Sequence, residues 1–102
     1  VDTNIGTLRI GYADGYSRAL TNRGMVSFEG KTYRVVGTVT MDHIMIDLGD
    51  ARPPSGSMFT VMGGESSQVQ IATIAQQLNT ITYELCCNIS PRVKRIYHQV
   101  QL

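Results

Sequence analysis

Gly24-Met-Val-Ser-Phe28, Glu29-Gly30-Lys31 and Thr32-Tyr-Arg-Val-Val36 read together as two short strands reversing about Glu-Gly. Valine, phenylalanine, tyrosine and threonine suit a pleated, half-buried surface, and a central glycine suits a tight reversal. Outward from this hairpin the strand pattern continues. Residues 39–48 carry Met41, Ile44, Met45, Ile46 and Leu48, interrupted by Asp42, His43 and Asp47. The unbroken Ile44-Met45-Ile46 predicts a strand covered on both faces. Pro53-Pro54 and Gly56 mark residues 50–57 as a loop, and residues 58–62 as another short strand before Gly63-Gly64. Upstream, Ile5, Leu8 and Ile10 lead into Gly11-Tyr-Ala-Asp-Gly15, whose Asp-Gly pair signals a turn flanked by Tyr12 and Tyr16. Two polar-tipped rings beside a reversal suit the wall of a pocket as well as an ordinary surface turn.

Past residue 70 the period changes. Ile71, Ile74, Ala75 and Leu78 fall at i, i+3, i+4 and i+7, which predicts one short helix near 70–79. Gln70 is a weak N-cap, whereas Asn79 suits the helix end. Residues 80–89 return to strand-like composition, and Arg92 to Val100 reads as a last strand after Pro91. Six to eight short strands and one late helix predict a mainly β fold, an antiparallel barrel or barrel-like sandwich, in a single domain over 1–102.

Composition narrows the function classes. The 102 residues are 42% hydrophobic and 17% charged with a net charge of +1, which fits one globular domain. Basic residues form no long run, so the sequence argues against a nucleic-acid or anionic-membrane partner, and no apolar run reaches the roughly 18 residues of a bilayer span. Cys86 and Cys87 are adjacent, a spacing that strains a bridge between them. With no CxxC or Cys/His cluster no metal site is expected, and the chain reads as reduced and intracellular. Its opening on Val1, directly into strand pattern, reads as part of something longer.

Polar residues among apolar ones are the candidate site. Asp42 and His43 are neighbours on an expected strand and so point to opposite faces, which argues against a catalytic pair. The hydroxyl of Tyr83, in Thr80-Ile-Thr-Tyr-Glu84, suits either an anion's oxygen or a core carbonyl. Arg92 and Arg95 suit either an anion clamp or a sheet edge. Residue types and spacing identify no nucleophile and no phosphate loop.

Ile10-Gly-Tyr-Ala-Asp-Gly-Tyr16, Val36-Gly-Thr-Val-Thr-Met-Asp42, Asn79-Thr-Ile-Thr-Tyr-Glu84 and Pro91-Arg-Val-Lys-Arg-Ile-Tyr97, taken in order, resemble the C-terminal domain of alanine racemase. The resemblance implies a mainly β, barrel-like or Greek-key domain of a pyridoxal 5'-phosphate enzyme of the bacterial cytoplasm. That enzyme interconverts L- and D-alanine for peptidoglycan synthesis. It further implies an N-terminal β/α barrel carrying the cofactor lysine, and a homodimer in which this domain completes the partner subunit's active site. Carried over residue by residue, Met41 gives its backbone N–H to the substrate carboxylate with Asp42 beside it. Tyr83 holds the cofactor phosphate, and Tyr12, Arg18 and Ile81 line the substrate corridor.

Thr38 departs from the family's usual arginine at the corridor mouth, which puts strict alanine selectivity in question. The family's two catalytic bases match no residue of this sequence, and Lys31 and Lys94 match no cofactor-lysine position, so the isolated chain is expected to be inactive. A serine-selective or fused racemase relative, and a non-catalytic β-barrel interaction module, are the alternative readings.

Overall fold

The computed structural model describes residues 3–64 and 66–96. Four strands form one antiparallel sheet in the order β1-β4-β3-β2: β1 Asn4–Leu8, β2 Met25–Phe28, β3 Lys31–Val36 and β4 Ile44–Gly49. Two single-turn 3₁₀ segments, Tyr12–Asp14 and Arg18–Leu20, connect β1 to β2. Helices α1, Ile71–Gln77, and α2, Thr82–Cys87, follow the sheet.

The expected hairpin is present. Glu29 and Gly30 both take positive φ (49° and 80°), the backbone of a two-residue turn whose twist matches right-twisted strands. It pairs Phe28 with Lys31 and Met25 with Arg34. In β4, Ile44 and Ile46 are buried while Met45 is 51% exposed, a plain period of two. The expectation that both faces are covered there is therefore corrected: one face meets the core and the other is open in this chain. β4 also begins later than the composition suggests, because residues 39–43 are spent on a turn.

Residues 58–62 do not form a strand of their own. One backbone bridge, Ser27 with Thr60, holds them against β2, and Phe59 stacks on Phe28 with ring centres 4.7 Å apart. Among the described residues the sheet is open rather than closed into a barrel, so the mainly antiparallel β prediction holds and closure does not. The core lies on one sheet face, built from Leu20, Val26, Val35, Val39, Ile44 and Ile46 and covered by Ile74 and Ala75 of α1 and Leu85 of α2.

The helical end differs most from the sequence reading. α1 stops at a Schellman motif: Asn79 is left-handed (φ 55°), its N–H donates to the Gln76 carbonyl, and the Thr80 N–H donates to the Ala75 carbonyl. Gln70 contributes no side-chain cap, as its residue type predicts. Residues 80–89, expected as a strand, hold α2 instead. Leu85 is the one buried residue of α2, and Thr80 Oγ1 donates to Glu84 Oε2 at 2.6 Å across its first turn. Arg92 to Ile96 is a turn followed by irregular chain rather than a strand, and the rest of the expected last strand lies outside the described residues.

Candidate functional site

Two turns meet at the predicted substrate corner. In the first, the Gly11 N–H donates to Asp14 Oδ2 (2.9 Å) and the Asp14 N–H returns to the Gly11 carbonyl (3.0 Å), so the aspartate closes its own turn. The second is closed by a threonine: Thr40 Oγ1 donates to the His43 carbonyl (2.9 Å) and accepts from the His43 N–H (3.0 Å). Tyr12 N–H to the Thr40 carbonyl (2.9 Å) and Ala13 N–H to the Met41 carbonyl (3.0 Å) then join the turns backbone to backbone. A Cβ on Gly11 would collide with the Thr40 and Met41 carbonyls, so this approach requires glycine for space.

The second turn is held from its other side as well. Thr21 Oγ1 accepts from the Val39 N–H, and Asn22 Oδ1 accepts from the Gly37 N–H. Within this frame the Met41 N–H donates to no group among the described residues, and Met41 is half exposed. Among the described residues the corner thus presents the Met41 N–H without an acceptor, on a backbone fixed at both ends.

Electrostatics tie a third segment to the corner. Arg92 Nη2 donates to Asp42 Oδ1 at 2.9 Å, and Arg92 Nε lies 3.4 Å from Asp14 Oδ1. The Asp42 hydrogen bond, and then the charge of Asp14, hold the Arg92 pKa above its ordinary value. Of the two roles open to the arginines in sequence, Arg92 takes the first toward carboxylates of its own chain, Asp14 and Asp42. Arg95 spreads its guanidinium over the carbonyls of Ile89, Ser90 and Val93. Asp42 and His43 form no pair, as strand alternation predicted, although the reason here is a turn.

The remaining candidates lie on neighbouring surface. The Arg18 guanidinium sits 5.6 Å from the centre of the Tyr12 ring, a cation–π distance. An open cleft of about 420 Å³ places Tyr12 and Ser17 in one wall, with Thr80, Glu84 and Asn88 from the α2 end. Ile81 and Tyr83 are 63% and 78% exposed, one just before α2 and the other in its first turn. Tyr16 is only 3% exposed, so the two tyrosines of the turn part company: Tyr12 faces out and Tyr16 joins the core. Thr38 is exposed, with Lys31 and Lys94 exposed in other segments. Sequence reading missed the closing roles of Asp14 and Thr40, whose polar atoms act on backbone within three residues, a signal available only once the turns are known.

Comparison with known proteins follows the same lines. The family described as "Alanine racemase, C-terminal domain" matches residues 1–97. Alanine racemase 2 of Bacillus subtilis (strain 168) is 45% identical over 95 residues, 91% of this chain and 24% of that protein. The solved alanine racemase from Bartonella henselae with covalently bound pyridoxal phosphate superposes with a TM-score of 0.86 at 34% identity, covering 94% of this chain and 26% of that one. That from D-cycloserine-producing Streptomyces lavendulae gives 0.87 at 33% identity over 97% of this chain and 26% of its own. The chain therefore spans about a quarter of the length of these relatives. By sequence and by fold, it belongs to the family of alanine racemase C-terminal domains.

Proposed function

We propose that this chain forms the substrate- and cofactor-holding surface of a pyridoxal phosphate-dependent alanine racemase. In this reading a homodimer in the bacterial cytoplasm interconverts L- and D-alanine for cell-wall synthesis. Each copy of this domain completes the site of the other subunit, facing that subunit's N-terminal barrel. The observation that carries the reading is the free Met41 N–H on a doubly fixed corner. A rigid main-chain donor binds a carboxylate oxygen without reorganising, which is what recognition of alanine's carboxylate needs. Asp42 stands beside it with its charge compensated by Arg92.

The residues present fit the phosphate end of the cofactor and not its covalent attachment. Tyr83 offers an exposed hydroxyl from a helix fixed by Leu85, while neither lysine of the chain lines the cleft beside Tyr12. When bound, pyridoxal phosphate supplies the electron sink that makes alanine's α-proton removable. The work of this chain is then placement. Met41 orients the carboxylate, Tyr83 donates to a phosphate oxygen, and Tyr12, Arg18 and Ile81 narrow the approach.

Tyr83→Phe in the full-length racemase tests the reading. Loss of one hydrogen bond to a charged acceptor is expected to weaken cofactor retention about tenfold or more, with the melting temperature nearly unchanged. Unchanged cofactor affinity would overturn the phosphate role. A second reading, activity toward serine as well, is favoured by the uncharged, exposed Thr38 at the corridor mouth. Comparable kcat/KM for L-alanine and L-serine in the same enzyme selects it.

A further inference from the structure

Among the described residues, Arg92 is the one side chain that touches both turns of the Met41 corner from a third, distant segment. Its own base is firm. Its N–H donates to Ser90 Oγ (3.0 Å), and the Ser90 N–H donates to the Asp14 carbonyl (3.0 Å). Arg95 gathers the carbonyls on either side. Both oxygens of Asp14 are in use, Oδ2 on the Gly11 N–H and Oδ1 toward Arg92, and the Asp14 side chain is only 13% exposed.

We propose that Arg92 is a positioning residue for substrate carboxylate recognition, joining Asp14 and Asp42 so that the Met41 N–H is held in place and both neighbouring charges are neutralised. The inference rests on the racemase reading of Met41. An exposed ion pair contributes little to stability, so the effect of Arg92 belongs to geometry and local charge rather than to folding. Its planar fork serves here as a bridge, with different nitrogens facing two carboxylates, which the single ammonium of lysine reproduces only in part. Without Arg92, the two carboxylates of the corner lose their counter-charge near the amide that must attract an anion. Like charge at the corner opposes substrate binding in the ground state and the transition state alike, so the loss falls on KM and not on kcat.

The test uses Arg92→Met and Arg92→Lys in the full-length racemase. Arg92→Met is expected to raise KM for L-alanine about tenfold with kcat within about threefold, and Arg92→Lys to recover part of that loss. Unchanged KM, or a fall in kcat at constant KM, would overturn the proposal. Should Arg92→Met fail to fold, Arg92→Lys decides alone: a raised KM supports the proposal and an unchanged one rejects it. Amide hydrogen exchange at Tyr12 and Ala13 supplies a readout independent of activity. Faster exchange in Arg92→Met is expected, and exchange equal to the parent would reject the positioning role. If exchange speeds up but the parent protein does not act on alanine, the clamp stands and the racemase reading of Met41 fails.

Discussion

Tyr16 and Gly24 meet where the first turn enters the core. A Cβ on Gly24 would collide with the Tyr16 hydroxyl, so glycine here makes room for a phenol at 3% exposure. Burial disfavours the phenolate and raises the Tyr16 pKa from 10.0 to about 12. Linkage fixes the sign. Between those values the unfolded chain has released the proton that the folded chain still holds, so stability is fully present below pH 10 and is lost as pH rises toward 12. The loss attributable to this group is roughly 2 to 3 kcal/mol. Urea denaturation at stepped alkaline pH is expected to show it, and Tyr16→Phe is expected to flatten that part of the slope. An equal slope in the variant would mean that other groups carry the alkaline loss. Nothing in the sequence separates Tyr16 from Tyr12, since a turn residue's direction depends on which backbone atoms the turn occupies.

At the scale of elements, the β half of the fold was legible and the helical end was only half so. β2 and β3 announced themselves through Glu29-Gly30, because turn chemistry and strand composition point the same way. α1 announced itself through four apolar residues in register and an asparagine at its end. α2 did not, and the reason is physical. A helix of six residues buries one side chain, Leu85, so a 3.6-residue period has no second point to display. Thr80, Ile81, Thr82 and Tyr83 favour extended backbone, yet that preference amounts to tenths of a kcal/mol per residue against the burial of a leucine. Leu85→Ala is therefore expected to cost about 2 to 4 kcal/mol and to release α2 first. The checks are a lowered urea midpoint and hydrogen exchange that quickens at Cys87 and Asn88 before it does in β3. A cost below about 0.5 kcal/mol would mean that the Schellman turn at Asn79 holds α2 without Leu85. The candidate site was legible in a similar proportion. Met41, Asp42, Tyr12, Arg18, Ile81 and Tyr83 came from motif resemblance, while the hydrogen bonds that fix the corner needed Gly11 to lie against Thr40, a contact across 29 residues of sequence.

For the molecule as a whole, the open sheet leaves surface that a closed barrel would cover. The radius of gyration is 13.9 Å, slightly above the roughly 13 Å of a compact domain of this length. Eight large apolar residues stay exposed among the described ones, and four of them, Tyr12, Met41, Ile81 and Tyr83, are candidate site residues. Covalent attachment of pyridoxal phosphate requires a lysine at the site, and neither Lys31, at the β2–β3 hairpin, nor Lys94, beyond α2, lines the cleft beside Tyr12. Incubated with pyridoxal phosphate and L-alanine, the 102-residue chain is accordingly expected to produce no D-alanine in a coupled oxidase assay. Borohydride reduction is expected to trap no cofactor adduct at a single lysine. Turnover by this chain alone would overturn that expectation and would shift the division of labour from surface and catalyst to one self-contained domain.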